Sequence, residues 1–172
     1  MDLKIFGIEN ESIVDGRGFR FVLFVQGCPH NCAGCHNPKS HSFDSGKTYT
    51  TEQILEKVSK NPLLDGITFS GGEPFCQAKA LVELGEKIKQ KGLNIWTYTG
   101  YTFEELLKMS EKNTDIKELL ALTDVLVDGK FIAEEKSLLL LFRGSKNQRL
   151  IDVVKSLKND KALEIEYQDK MI

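Results

Sequence analysis

The chain has 172 residues, 41% of them hydrophobic, which is enough for one hydrophobic core and short for two. Its 23 Lys and Arg against 25 Asp and Glu give a formal net charge of −2, so it lacks the basic excess typical of nucleic-acid-binding proteins. The longest apolar run, 138–142, is too short to span a bilayer and no secretion signal opens the sequence, so we expect a cytoplasmic protein without a membrane or nucleic-acid partner.

The first half of the chain is predicted to alternate strands with helices. A run rich in aromatic and β-branched residues predicts a strand at 19–26. Thr50 and Gln53 have the spacing of a capping box, which predicts that a helix begins there. A short strand is predicted at 66–70, and the apolar spacing of 81–88 predicts a second helix that stops before Gly92.

The alternation continues in the second half. Residues 93–98 have strand character, and a second capping box from Thr102 to Glu105 predicts a third helix. Further strands are predicted at 125–127 and 150–153, and a last one at 163–167. The leucine-rich run 138–141 predicts a core-facing helix.

This succession predicts an α/β fold, because strand–helix–strand units form right-handed crossovers and parallel sheets. About five such units are too few for a closed eightfold barrel. No linker, repeat or low-complexity tract divides the chain. We therefore expect a single domain over 1–172, an open partial (β/α) barrel with mostly parallel strands. Ligands of such folds bind at the carboxyl ends of the strands, and the unusual segments follow predicted strands: 28–35, 71–73, 99–101 and 128–130.

Three of the four cysteines lie in one loop, 27–38. Cys28, Cys32 and Cys35 have the spacing CxxxCxxC. In a reducing compartment, clustered cysteines are more often metal ligands than disulfide partners. A structural zinc site takes four ligands, whereas a cubane held by three thiolates leaves one iron open to a substrate. A fourth zinc ligand is available from His30, His36 or Cys76, so both metals remain open on the spacing alone.

The order of the motifs resembles the radical S-adenosylmethionine superfamily, in which CxxxCxxC follows the first strand and Gly-Gly-Glu follows the second. Within it, the chain resembles the glycyl-radical-enzyme activating family, and most of all the branch that activates anaerobic ribonucleotide reductases. The resemblance covers about 6–153 and is carried by the segments 12–18, 26–38, 96–101, 127–131 and 143–149. Family members with additional clusters insert more cysteines after the first motif, and none occurs here.

The resemblance implies an anaerobic oxidoreductase with one [4Fe–4S] cluster held by Cys28, Cys32 and Cys35. S-Adenosyl-L-methionine would chelate the open iron through its amino nitrogen and carboxylate oxygen. A flavodoxin-like or other donor would deliver one electron, and cleavage would give methionine and a 5′-deoxyadenosyl radical. The radical would take a hydrogen atom from a glycine Cα of the large anaerobic ribonucleotide reductase subunit, its protein substrate.

The resemblance also suggests which residues contact the cofactor: Gly34, Cys35, His36, Gly71, Gly72, Glu73 and Asp128. Gly71 and Gly72 permit close backbone approach, and Glu73 offers a charge suited to an ammonium group. Gly34 stands where the superfamily usually has an aromatic residue that contacts adenine, so His36 is expected to supply that contact. No side chain is assigned a catalytic role of its own.

Two alternatives remain. One is an activase of another glycyl radical enzyme, of the pyruvate formate-lyase type, against which stand the short chain and Gly34. The other is a non-catalytic module that binds zinc or an iron–sulfur cluster. Cys76 is expected to be a small buried residue with no ligand role.

Overall fold

The computed structural model describes residues 1–167 and folds them around one seven-stranded sheet. The strands are β1 (Asp2–Ser12), β2 (Arg20–Val25), β3 (Lys47–Thr50), β4 (Gly66–Gly71), β5 (Asn94–Tyr98), β6 (Val125–Asp128) and β7 (Arg149–Asp152). The helices are α1 (Thr51–Ser59), α2 (Ala78–Gln90), α3 (Phe103–Ser110), α4 (Thr114–Leu122) and α5 (Val153–Asn159). No helix in this part of the chain is long and apolar enough to cross a membrane.

The sheet order is β3-β1-β2-β4-β5-β6-β7, and only its central strands are parallel. The prediction of an α/β fold is confirmed, and the central strands are parallel. The prediction of mostly parallel strands is wrong, because β1, β3 and β7 pair antiparallel and make the sheet mixed, and the open partial barrel is not confirmed. The segment 129–148 contains no α-helix, so the chain returns beside β6 without a crossover and β7 runs in the opposite direction.

The predictions of individual helices and strands had different outcomes. Both capping boxes form, at Thr50 and at Thr102. The predicted strand at 163–167 is wrong, since only Glu164 forms an isolated bridge there. The predicted helix at 138–141 is also wrong, because these residues form turns and the Leu138 side chain is 84% exposed. Strand β1 was missed, although the alternation of buried Leu3 and Ile5 with a lysine is a strand signal.

The two faces of the sheet have different roles. Successive right-handed crossovers in one direction place the connecting helices on one face, where they cover the main hydrophobic core. Alternate strand residues point the other way, so Ile95 lies in that core while the neighbouring Trp96 and Tyr98 belong to a second cluster. The face opposite the helices is therefore left to form a cavity.

Arg20 fills the amino-terminal end of this second face. Its guanidinium is fully buried and donates to the Thr68 hydroxyl at 2.6 Å and to the Asn94 side-chain oxygen at 2.8 Å. Burial lowers the pKa of Arg20 to about 10. This side chain occupies the starts of the parallel strands, whereas the cavity beside the cysteine loop lies at their carboxyl ends.

Candidate metal centre

A cavity of about 240 Å³ lies at the carboxyl ends of the parallel strands. Cys28, Cys32 and Cys35 line one side of it, and Gly71 and Gly72 line another. The segments after β5 and β6 contribute the remaining wall. The tertiary structure thus brings the separate motifs of the sequence to one site.

The cysteine loop is held by backbone hydrogen bonds and by unusual backbone conformations. Gly27 N donates to Ser40 O at 2.7 Å, and Cys28 N donates to His41 O at 3.0 Å. Positive φ angles occur at Gly27, Asn31 and Gly34, of which the two glycines adopt them without steric cost. The loop therefore curls back on itself, and its three cysteines are half-buried along the cavity.

The three cysteines of the cavity wall have the chemistry of iron–sulfur cluster ligands. Within residues 1–167, no three His, Cys, Asp or Glu side chains converge closely enough to hold one metal ion. A cubane places each thiolate on a different iron, so its ligands are spread more widely. Burial raises the pKa of the Cys28 thiol, and coordination to a cationic centre offsets this by favouring the thiolate.

The other zinc ligands considered from the sequence differ in their placement. His30 and His36 both line the cavity, but His30 Nε2 lies 2.7 Å from Glu73. The prediction that Cys76 is buried is wrong, because the residue is exposed and does not line the cavity. Among the described residues, the cavity wall therefore holds three thiolates and no fourth.

Gly71 and Gly72 bring the end of β4 against the start of the cysteine loop. Gly72 N donates to Val25 O at 2.7 Å, and the next amide, of Glu73, donates to Gly27 O at 2.7 Å. A Cβ at Gly72 would lie 2.3 Å from Gly27 O, which is a steric clash. These glycines thus permit close approach within the protein as well as lining the cavity.

Glu73 has a different environment from the one expected. It is fully buried and is not part of the cavity wall. Its carboxylate accepts hydrogen bonds from the Thr99 hydroxyl at 3.0 Å, from Gly100 N at 3.0 Å and from Phe75 N at 3.1 Å, and His30 Nε2 lies 2.7 Å away. The carboxylate is therefore surrounded by donors of the protein itself.

Asp128 is likewise buried and outside the cavity wall. It accepts from Phe103 N at 2.7 Å and is paired with Arg149, whose Nη2 is 2.6 Å away. The pair raises the pKa of Arg149. The neighbouring Gly129, not Asp128 itself, reaches the cavity.

Two aromatic residues form a contact in the cavity wall. His36 lines the cavity, and its ring meets that of Phe131 edge to face at a centroid distance of 5.3 Å. Phe131 also lines the cavity, and a Cβ at Gly34 would lie 3.5 Å from its ring. Sequence reasoning missed Phe131 as a site residue. It missed Asp15 and Tyr98 in the cavity wall as well. All three lie within or beside the motif segments 12–18, 96–101 and 127–131, which was the available signal.

An apolar groove adjoins the cavity. It has a volume of about 650 Å³ and is formed by 13–14, 136–138 and 140–144. It shares His36 and Gly144 with the cavity wall. The side chains of Ile13, Val14 and Leu138 are exposed by 66%, 67% and 84%. This groove, called the 13/138 groove below, places apolar surface beside the mouth of the cysteine site.

Comparisons with known proteins agree with this description of the site. A family model described as a 4Fe–4S single cluster domain matches residues 14–151. The chain is 37% identical over 146 residues to the anaerobic ribonucleoside-triphosphate reductase-activating protein of Haemophilus influenzae, covering 79% of this chain and 89% of that one. It is 39% identical over 144 residues to the Vibrio cholerae protein of the same name, with 79% and 89% covered. The protein of that name from Enterobacteria phage T4 is 35% identical over 145 residues, with 80% and 86% covered.

Proposed function

The chain belongs to the family of anaerobic ribonucleoside-triphosphate reductase-activating proteins, and we propose that it generates a glycyl radical on such a reductase. The observation that carries the proposal is the convergence of Cys28, Cys32 and Cys35 with Gly71 and Gly72 on one cavity. The family assignment gives no support to the lyase-activating alternative or to a module without catalysis.

The proposed chemistry belongs to the cofactors. When bound, a reduced [4Fe–4S] cluster supplies the electron that cleaves S-adenosyl-L-methionine to methionine and a 5′-deoxyadenosyl radical, which takes a hydrogen atom from a glycine Cα. Cys28, Cys32 and Cys35 would hold three irons and leave the fourth for the amino and carboxylate groups of S-adenosyl-L-methionine. The protein positions both groups and limits access of water.

The cavity wall divides the remaining binding roles. The backbone of Gly71 and Gly72 would approach the amino-acid end of S-adenosyl-L-methionine. At the other side of the cavity, the His36–Phe131 pair offers an aromatic surface for adenine. Phe131 lies next to Gly34, where the absence of a side chain leaves its ring accessible. Glu73 and Asp128 would support the cavity wall without contacting the cofactor, because their carboxylates already accept hydrogen bonds from protein donors.

A protein substrate suits the shape of the site. The cavity is open, and the 13/138 groove continues from it through His36 and Gly144. An extended chain segment that carries the target glycine would enter the cavity while its apolar neighbours cover the groove. The seated segment would then complete the enclosure of the cofactor.

The remaining assignments follow from the same chemistry. We propose one functional domain over 1–172, a flavodoxin-like electron donor, and a cytoplasmic location, where reducing conditions preserve thiolate ligands.

The test is an anaerobic activation assay. The reconstituted protein is mixed with a reductant, S-adenosyl-L-methionine and the anaerobic ribonucleotide reductase of the same organism. We expect methionine and 5′-deoxyadenosine, a carbon-centred radical signal on the reductase, and deoxyribonucleotide formation.

Pyruvate formate-lyase from the same source is the matched control. Activation of the lyase without the reductase would refute the partner and preserve the radical chemistry. A reconstituted protein that binds a cluster but never cleaves S-adenosyl-L-methionine would refute the enzymatic proposal.

A further inference from the structure

The cysteine loop is joined to the rest of the site by a buried hydrogen bond between His30 and Glu73. His30 Nε2 lies 2.7 Å from Glu73 Oε2, with the two side chains 6% and 0% exposed. A carboxylate accepts, so the ring donates its Nε2–H. We propose that His30 and Glu73 are positioning residues, which fix the cysteine loop in its cluster-binding conformation before the cluster arrives.

His30 lies between two of the three cysteines of the loop. It lies two residues after Cys28 and two before Cys32. Two residues of extended chain span about 7 Å at most, so fixing the ring of His30 confines both ligand positions. The following residue, Asn31, has φ 50°, a left-handed conformation that tertiary contacts must support.

A complementary pocket holds the ring from several sides. Gly100 lies against one edge, where a Cβ would come within 2.4 Å of the imidazole. The Tyr101 ring packs edge to face at a centroid distance of 4.4 Å. Glu73 closes the pocket at Nε2. The absence of a side chain at Gly100 therefore leaves the space through which the side chain of residue 30 reaches Glu73.

Glu73 connects three motif segments through one carboxylate. Besides His30, it accepts from Thr99 and Gly100 after β5 and from Phe75 after β4. A buried carboxylate needs such donors, and here protein groups supply them. The carboxylate thus acts on the cluster through its ligand loop, as residues behind metal ligands commonly do. This role replaces the direct ammonium contact expected from the sequence.

The inference rests on the cluster of the proposed function, so its test begins with measurements that need no turnover. The variants are His30→Leu, which removes the donor, His30→Gln, which keeps an N–H donor, Glu73→Leu, and the His30→Leu/Glu73→Leu pair. Glu83→Gln is the matched carboxylate control, since Glu83 contacts Met1, Thr51 and Lys87 and does not line the cavity.

Hydrogen exchange of the apoprotein provides the first measurement. In His30→Leu and Glu73→Leu, amides of 28–36 should exchange about 10-fold faster or more than in the unmodified protein, because the loop opens more readily. His30→Gln and Glu83→Gln should exchange at unmodified rates.

Cluster retention and spectroscopy provide the second. Iron loss to a chelator should be about 10- to 100-fold faster in His30→Leu and Glu73→Leu. The electron paramagnetic resonance spectrum of the reduced cluster should change before S-adenosyl-L-methionine is added. His30→Gln should restore both properties. The paired variant should be no worse than the worse single variant, since both remove the same bond.

Three outcomes would overturn the inference. Unmodified loop exchange and iron retention in His30→Leu would show that the hydrogen bond does not position the loop. A Glu73→Leu spectrum that is unmodified until S-adenosyl-L-methionine is added would identify Glu73 as a direct cofactor ligand. Additive losses in the paired variant would show two independent roles.

If Glu73→Leu fails to fold, the inference is tested by comparing loop exchange and iron retention between His30→Leu and His30→Gln. These two variants differ in whether residue 30 has an N–H donor. Failure of the unmodified protein to bind any cluster would count against the proposed function instead. The exchange result on the apoprotein would still decide the role of His30.

Discussion

The guanidinium of Arg149 donates to both carboxylate oxygens of Asp128, from Nε at 3.0 Å and from Nη2 at 2.6 Å. The two residues are directly opposite each other in the antiparallel pairing of β6 with β7. Asp128 is buried, whereas Arg149 is partly exposed and extends to Glu104 at the surface. This ion pair therefore links the edge strand β7 to β6, next to the cavity wall.

We therefore predict that Arg149→Met destabilises the apoprotein by about 3 kcal/mol, because it leaves Asp128 buried without its cation. Urea unfolding in a reducing buffer measures the change. Glu104→Gln is the control: it removes only the exposed partner and should cost less than about 1 kcal/mol. Equal losses in the two variants would contradict the special importance of the buried carboxylate.

Cluster binding should depend on three of the four cysteines. Cys28→Ser, Cys32→Ser and Cys35→Ser should each lose the intact cluster and all cleavage of S-adenosyl-L-methionine, since hydroxyls are poor ligands for iron–sulfur clusters. Iron and sulfide analysis after anaerobic reconstitution should give about four of each per chain for the unmodified protein and for Cys76→Ser. A cluster that requires Cys76 would contradict an open fourth iron.

The reactivity of Cys76 should depend steeply on pH. Although the residue as a whole is exposed, partial burial of its thiol and the nearby Glu73 carboxylate raise the pKa of the thiol to about 11. A raised thiol pKa means that the reactive thiolate is scarce at neutral pH, on the order of one thiol in a thousand at pH 8. In the cluster-loaded protein, alkylation by iodoacetamide should therefore accelerate about tenfold for each pH unit up to roughly pH 11. A rate that levels off near pH 8.5 would show an ordinary solvated thiol.

Gly72→Ala should impair cluster binding as well as cofactor binding. Its Cβ would meet Gly27 O at 2.3 Å and push the end of β4 away from the cysteine loop. We expect a lower iron content after reconstitution and a weaker spectral response to S-adenosyl-L-methionine. Gly7→Ala is the matched control, because a Cβ there meets only the Phe24 side chain, at 3.9 Å. Unmodified iron content in Gly72→Ala would show that the loop tolerates the displacement.

The 13/138 groove should contribute to partner binding without taking part in the cofactor chemistry. Val14→Glu and Leu138→Glu place a charge on apolar surface that the reductase segment would cover, and the radical yield on the reductase should fall about 10-fold or more at limiting concentration, equivalent to 1.4 kcal/mol. Cleavage of S-adenosyl-L-methionine without the reductase should be unchanged. Leu63→Glu is the control, since Leu63 is 73% exposed and lies outside the groove. Equal effects of all three variants would refute a specific docking role.

The features that could be predicted from the sequence are those encoded over short distances. The cysteine spacing and the capping boxes at Thr50 and Thr102 each lie within a few residues. The hydrophobic runs of the central strands identified their positions in the chain, because parallel strands buried on both faces are nearly continuous in apolar residues. The chain reversal into β7 was not predicted, because strand direction depends on the long connection before it.

The sequence by itself determined the cysteine loop, the central strands and the family, since the motifs that carry them are local and occur in a fixed order. The tertiary structure alone decided which motifs touch. Glu73 is 43 residues from His30, and the protein donors that surround its carboxylate come from segments that no local pattern in the sequence connects. Phe131 is a neighbour of Gly34 because it follows β6, which lies in the same sheet as the strand that precedes the cysteine loop. Contacts of this kind are set by sheet order and crossover geometry, which bring distant segments together and leave no local pattern in the sequence.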